Sequence, residues 1–432
     1  MSGRPLLMHS KKRHQTKRPY FYRVPKPGRW SRSDLADPRG MTALHVGAAV
    51  LEIEQLAIER LVGRVRMPVF GALATEMELD TVEASLRDLL LFVLSEDIEI
   101  VFDNRPYQEV IPSATESRPA QLCLFSGGID SFVGLQLAAE RASTEAVFCA
   151  HRDQGRVIGI VDELVAKRLR HIPVRTVKVP AMGSRGYIQL RGFLYVLAAG
   201  AQLAESGGKT LIVTECGPTM FQPRFSPADA ITMTTHPEVM RLARRTLEVI
   251  LGRSVEILIP FSDLTKAEVI ALCPQGVSLA QTHSCISQRF GDHDGTCYGC
   301  VVRRLGALAA GRSDVSYRRD CLRDKGAHAG NLLTLLAFSL DVLTRLGSMP
   351  PFQTDLIFEF GKEDLFRRFA LDNFAGVHRF GVVERHRLRP DVRRLYEQAS
   401  AAVGANAFDA RLAELASRAA QPDWTAAVPL WP

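Results

Sequence analysis

One stretch of the chain has residue types suited to phosphate chemistry: Phe125-Ser126-Gly127-Gly128-Ile129-Asp130-Ser131. Two adjacent glycines let the backbone turn its N–H groups toward a phosphate with no Cβ in the way. A helix starting at Ser131 would point its positive end at the same spot. The hydroxyls of Ser126 and Ser131 can donate to phosphate oxygens. Asp130 would repel a bare phosphate, so it is expected to meet Mg²⁺ or to cap the helix. No Gly-Lys-Ser/Thr follows, which excludes a Walker A loop, and the spacing is not a dinucleotide fingerprint. Lys266, in Leu264-Thr265-Lys266-Ala267-Glu268, starts a later predicted helix and is the candidate cation for phosphate charge.

A second cluster suits a metal. His283-Ser284-Cys285 is followed by Asp294-Gly295-Thr296-Cys297-Tyr298-Gly299-Cys300, so three cysteines fall within 16 residues. Two of them form Cys-x-x-Cys, a spacing that fits tetrahedral Zn²⁺. Three thiolates need a fourth ligand, and Asp294, His293 and His283 are the choices that composition leaves open. No strand feeds directly into the Cys-x-x-Cys, which argues against a redox pair. A closed zinc site would brace the loop and do no chemistry.

These residues need elements to hold them. Apolar periodicity predicts a helix over Ala43–Val62 (amphipathic), a strand over Arg64–Phe70, a helix over Thr81–Leu94 and a strand over Ile98–Phe102. Arg105–Pro119, with three prolines, reads as a linker. A βαβα run follows, with strands at Gln121–Phe125, Ala146–Ala150, Val174–Val179, Thr210–Thr214 and Val255–Ile259. Its helices are Ser131–Ala142, Arg156–Arg170, Tyr187–Glu205, Val239–Leu251 and Lys266–Leu272. That alternation predicts an α/β fold with a doubly wound parallel sheet, which binds ligands at the carboxyl ends of its strands. The Gly-rich loop sits at such an end. His151, just past the strand Ala146–Ala150, is counted with the nucleotide-binding residues. Beyond residue 313 only helices are expected, at Asn331–Leu346, Asp364–Phe369 and Pro390–Val403. The expected division is a basic tail over 1–35, a small α/β segment over 36–118, the nucleotide-binding domain with its zinc loop (283–300) over 119–312, and a helical segment over 313–432.

Charge is uneven along the 432 residues. Residues 1–33 carry ten Lys or Arg and no acid, while the rest is close to neutral. The tail is expected to be solvated and disordered, with nucleic acid a possible but less favoured partner. With 46% hydrophobic and 23% charged residues, the composition excludes fibrous and disordered classes for most of the chain. The start lacks an apolar signal region, and Gly192–Ala204 is too short to span a bilayer, so a cytoplasmic location without membrane contact is expected. The eight cysteines are then thiols or metal ligands.

The string Ser126 to Ser131 resembles the signature of ATP pyrophosphatases, which cleave ATP between the α and β phosphates. Together with the cysteines, it resembles the 7-cyano-7-deazaguanine synthase family, QueC. Members carry a Ser-Gly-Gly-x-Asp-Ser loop and end the catalytic domain with Cys…Cys-Gly-x-Cys-x-x-Cys, often followed by a basic pair. Here Cys285, Cys297 and Cys300 match three positions, and Arg303-Arg304 follows. Asp294 replaces the remaining cysteine and so becomes the leading fourth ligand. The family segment Glu-Asn-Gly is Glu215-Cys216-Gly217, which makes Glu215 a pocket residue. The extra length is similar to the longer QueC-like proteins of bacterial anti-phage systems, such as those of the Qat type.

The resemblance implies an adenine nucleotide alpha hydrolase-like (HUP-type) sheet, with ATP, Mg²⁺ and Zn²⁺ as cofactors. It implies adenylation of an acyl group on a 7-deazaguanine and formation of an amide or nitrile with an amine. In the defence branch the amine would belong to a protein partner from the same operon. Asp130, Lys266 and Glu215 form the expected catalytic set. Two other readings compete. A tRNA-thiolating enzyme would need Cys216 or Cys149 as a catalytic thiol. A non-catalytic ATP-binding scaffold would need only the loop.

Overall fold

The computed structural model describes residues 18–21, 37–58, 62–70, 76–105, 119–150, 155–167, 169–178, 189–223, 225, 233–274, 276–285, 293–323, 329–384, 387–404, 406–417 and 421–428. Most of the basic tail, most of the Pro-rich linker, and His151 lie outside these residues.

The first unit is a parallel sheet of β1 (Arg18–Phe21), β2 (Val62–Phe70) and β3 (Glu99–Arg105), in that order. It is connected by α1 (Pro38–Ile58) and α2 (Glu76–Leu94). β1 falls inside the stretch expected to be a disordered tail, so four residues of that tail are ordered by pairing with β2. The expectation of an amphipathic first helix also fails. Residues 42–54 of α1 are all buried, because the helix is enclosed between β2 on one side and a later helix, Arg191–Ser206, on the other. A helix apolar all round belongs inside a core.

The second sheet is built from β4 (Gln121–Leu124), β5 (Thr144–Ala150), β6 (Val174–Lys178), β7 (Thr210–Ile212) and β8 (Glu256–Leu258). Its order is β6-β5-β4-β7-β8, and every pair is parallel. The intervening helices are α3 (Ile129–Arg141), α4 (Gly155–Lys167), α5 (Arg191–Ser206), α6 (Gly217–Met220) and α7 (Pro237–Leu251), with α8 (Lys266–Leu272) after β8. Alternate residues of the strands feed two cores. Leu122, Val147, Val177 and Leu211 pack with α5 and α7, while Cys123, Ala146, Phe148 and Ile212 pack with α3 and α8. Helices therefore cover both faces of a Rossmann-like parallel sheet. The order reverses between β4 and β7, which opens a crevice at their carboxyl ends.

Among the described residues, six helices follow: α9 (Tyr298–Ala309), α10 (Gly330–Arg345), α11 (Pro351–Glu359), α12 (Glu363–Glu384), α13 (Pro390–Val403) and α14 (Ala407–Ser417). They do not form a separate layer. α12 packs on α9, α14 packs on α8, and one apolar core runs from α1 through α5 to α12. The last described residues return to the sheet, where Ile259 N–H donates to Ala426 O at 2.7 Å and Val428 N–H to Ile257 O at 3.2 Å. This covers the β8 edge, which would otherwise present unpaired backbone groups. Among the described residues, no single helix is long and apolar enough to cross a membrane.

Candidate functional site

The Gly-rich loop leaves the central strand β4 at the crevice. Phe125 N–H extends the ladder to Val147 O at 2.9 Å, and the chain then turns through Gly127 at φ +76°, a left-handed backbone that favours glycine. Gly128 is the N-cap of α3 and gives it no side-chain cap. The serine hydroxyls close the loop on itself. Ser131 Oγ accepts from Ser126 N–H at 3.2 Å and donates to Gly128 O at 3.1 Å, and the two hydroxyl oxygens lie 3.1 Å apart. Their first role is thus to shape the loop. Ile129 is buried in the core behind it. Gly127 O accepts from His283 N–H at 2.9 Å, which ties the phosphate loop to the start of the cysteine loop.

Asp130 stands at the second position of α3, where the helix dipole favours a negative charge. One of its oxygens, Oδ2, pairs with Lys266 Nζ at 2.5 Å. Its other oxygen, Oδ1, is buried without a partner. Of the two roles expected for Asp130, capping is not what it does. Lys266 is the first residue of α8, a position where the helix dipole disfavours a cation. Burial also opposes its charge, but the carboxylates beside it, Asp130 first and Glu215 after it, more than offset this and hold the amine protonated. Thr265 and Glu268 form a capping box that fixes the start of α8.

Glu215 follows β7 and is half-buried. Burial first, then the Asp130 charge, pushes its carboxyl up to about 7, against the pull of Lys266 and Arg191. Loop and strand ends line a cleft that is open to solvent. Phe125, Ser126, Arg191, Tyr195, Thr214 and Glu215 are among its walls. The structure thus brings Ser126, Ser131, Asp130, Lys266 and Glu215 to one place.

Arg191, Tyr195 and Thr214 were not singled out by sequence reasoning. Arg191 opens α5 and has a buried Nε with no partner, and Thr214 Oγ1 is likewise buried and unpartnered. The available signal was a lone arginine at the head of an otherwise apolar helix. The two candidate thiols look inert. Cys216 is 1% exposed and shares a hydrogen bond with Thr219 Oγ1 at 3.3 Å, and burial pushes both Cys216 and Cys149 up to about 12.

The second cluster also assembles. Ligand atoms of Cys285, Asp294, Cys297 and Cys300 all lie within 4.8 Å of one another. Cys285 Sγ and Cys297 Sγ are 3.9 Å apart, against about 3.8 Å for two thiolates on one tetrahedral Zn²⁺. Three soft donors and one carboxylate fit zinc. The Nε2 of His293 accepts from Ser284 N–H at 3.2 Å and lies 3.3 Å from Arg303 Nη1. Asp294 Oδ1 accepts from Thr296 N–H at 2.7 Å and Cys297 N–H at 3.0 Å, which sets the turn into α9. Of the basic pair, Arg303 is 1% exposed and bonds Asp314, Thr282 O and Leu279 O, clasping the loop to α9.

The sequence model of the family described as queuosine biosynthesis protein QueC matches residues 230–311. That stretch contains Lys266 and the whole cysteine cluster, and the match supports a QueC-like, ATP-utilising protein. No curated protein matches the chain.

Proposed function

We propose that this chain is a QueC-like ATP pyrophosphatase that adenylates an acyl group on a 7-deazaguanine and joins it to an amine. The reading rests on one observation above the others: the Gly-Gly loop at the sheet's reversal point meets a buried Asp130–Lys266 pair whose remaining carboxylate oxygen has no partner. The strand order and the helices on both faces favour a doubly wound, HUP-type sheet. An acyl oxygen attacks the α phosphorus of ATP, and pyrophosphate leaves. The loop N–H groups and Lys266 stabilise the charge that develops on the leaving group. Asp130 Oδ1 is the free donor for Mg²⁺, which would neutralise phosphate charge when bound. The amine nitrogen then attacks the acyl carbon and AMP leaves. Glu215, with a carboxyl near neutral pH, is suited to take the proton that the amine releases. Cys285, Asp294, Cys297 and Cys300 would hold Zn²⁺ as a structural brace.

The segments before β4 and after α9 favour the Qat-type defence branch, with a partner protein supplying the amine. A thiolating reading is disfavoured by the inert state of Cys149 and Cys216. To test the reading, the chain is incubated with Mg-ATP and 7-carboxy-7-deazaguanine, and nucleotides are separated. AMP and pyrophosphate dependent on the acid support it, whereas ADP, or no cleavage despite ATP binding, overturns it. Intact mass spectrometry of proteins encoded beside this chain, co-expressed with it, tests the acceptor. A deazaguanine-sized addition to one of them is expected.

A further inference from the structure

Arg191, in the wall of the cleft, and Lys266, paired with Asp130 of the Gly-rich loop's helix, each open a helix, and neither helix start is held by the sheet alone. The residue before Arg191, Leu190, gives α5 no side-chain cap. The cap comes from α1 instead. Glu54, fully buried, accepts from Gln189 N–H at 2.5 Å and from Leu190 N–H at 2.9 Å, one bond to each carboxylate oxygen. These are the two backbone groups immediately before Arg191.

The start of α8 is held from the other end of the chain. Asp372 of α12 accepts from the Thr265 hydroxyl. Arg411 of α14, 3% exposed, donates to Asp372 Oδ1 at 2.6 Å and to Glu268 Oε1 at 2.5 Å. Arg368 adds a bond to the same Glu268 oxygen at 2.9 Å. Thr265 and Glu268 are the capping box whose next residue is Lys266. Three buried charged side chains, Glu268, Asp372 and Arg411, joined by the half-buried Arg368, converge on one helix start, and a surface-built helix needs no such network.

We infer that the segments flanking the nucleotide sheet are positioning elements for its site: Glu54 sets Arg191, and the Arg411–Asp372 pair sets Lys266. The site is then incomplete without either segment. Glu54, Asp372 and Arg411 touch no ligand and act through the cations they place. The inference rests on the proposed nucleotide reading and deepens it.

The two halves predict different kinetic faults. Arg191 lines the binding cleft, so displacing it weakens ATP binding. Lys266 meets the leaving group, so displacing it slows the chemical step. The test uses the full chain, Mg-ATP and 7-carboxy-7-deazaguanine, with rates normalised to the folded fraction measured by circular dichroism. Glu54→Gln, which loses one of the two acceptor oxygens, is expected to raise KM for ATP about tenfold with little change in kcat. Arg411→Met is expected to lower kcat up to about 100-fold with little change in KM. Arg411→Lys, which keeps charge without the fork, is expected to recover part of that loss. Should Arg411→Met fail to fold, Asp372→Asn and Arg411→Lys carry the same test. Variants that shift KM and kcat alike, or that match the wild type, overturn the inference. A wild-type chain that neither binds nor cleaves ATP overturns the nucleotide reading, and the inference with it.

Discussion

Replacing Lys266 with Met keeps the length of the side chain and removes its charge. The Lys266 and Asp130 side chains are 16% and 8% exposed and meet at 2.5 Å, so the pair is shielded from water. Removing one partner of a buried pair costs about 3–5 kcal/mol, because the other charge is left uncompensated. Here the upper part of that range applies, since Asp130 Oδ1 has no partner to begin with. Catalysis should fall separately. A fixed donor for a developing anion is worth about 10²- to 10³-fold in kcat. The double variant Asp130→Asn/Lys266→Met separates the two effects. Neutralising both partners leaves no stranded charge, so its stability should return to within about 1 kcal/mol of the wild type. Its AMP formation should stay lost. Urea unfolding gives the first quantity, and AMP release from Mg-ATP and the deazaguanine acid gives the second. A Lys266→Met variant as stable as the wild type, or a double variant that regains AMP formation, would refute the reasoning.

Asp294→Asn keeps the Oδ1 acceptor for Thr296 and Cys297 N–H but offers no charge to a metal. Zinc affinity in a chelator competition should fall, while the melting temperature of the chelator-stripped protein stays unchanged. A loss in the stripped protein instead would make Asp294 purely structural. Gly295→Ala should cost at least about 2 kcal/mol, since Gly295 has φ +82° and an added Cβ would lie 1.9 Å from the Arg319 carbonyl oxygen. A melting temperature within error of the wild type would exclude that packing. Glu215 carries a raised carboxyl, about 7 against an ordinary 4.5, so its ionised form is disfavoured in the folded chain. That penalty is absent below pH 4.5, grows as pH rises toward 7 and is constant above it. Unfolding free energies of the wild type from urea titrations should therefore fall relative to Glu215→Gln across that window, by less than the roughly 3 kcal/mol that the full shift would give, since Glu215 is only half-buried. Parallel profiles would remove Glu215 from the buried charge cluster.

Much of the site was legible because its parts are local. The loop after β4 announces itself by its glycines, and Thr265-Lys266-Ala267-Glu268 spells a capping box, so α8 starts where the sequence places it. The cysteine spacing likewise encodes its own cluster. What was not legible depends on neighbours distant in sequence. Arg191 becomes a cleft residue only because α5 packs beside β4 and β7. The bonds of His293 Nε2 to Ser284 N–H and Arg303 form only when the fold brings these residues together. The sequence predicts a helix over Asp364–Phe369, and α12 continues beyond it to Glu384. Its buried Asp372 and Asn373 break the apolar pattern, yet each has a partner supplied by another helix, Arg411 for the first and Ser339 for the second. α9 was missed because the Cys-x-x-Cys that begins it reads as loop. β1 carries no legible period, since its four residues lie in a basic tail, and among the described residues it pairs with β2.

The central claim is that an acyl oxygen attacks the α phosphorus of ATP, and isotope transfer tests it most directly. 7-Carboxy-7-deazaguanine labelled with ¹⁸O in its carboxylate is turned over with Mg-ATP and ammonia in unlabelled water, and the AMP is weighed. One ¹⁸O in each AMP is the expected result. AMP carrying only ¹⁶O would contradict the claim, since water rather than the acid would then have displaced pyrophosphate.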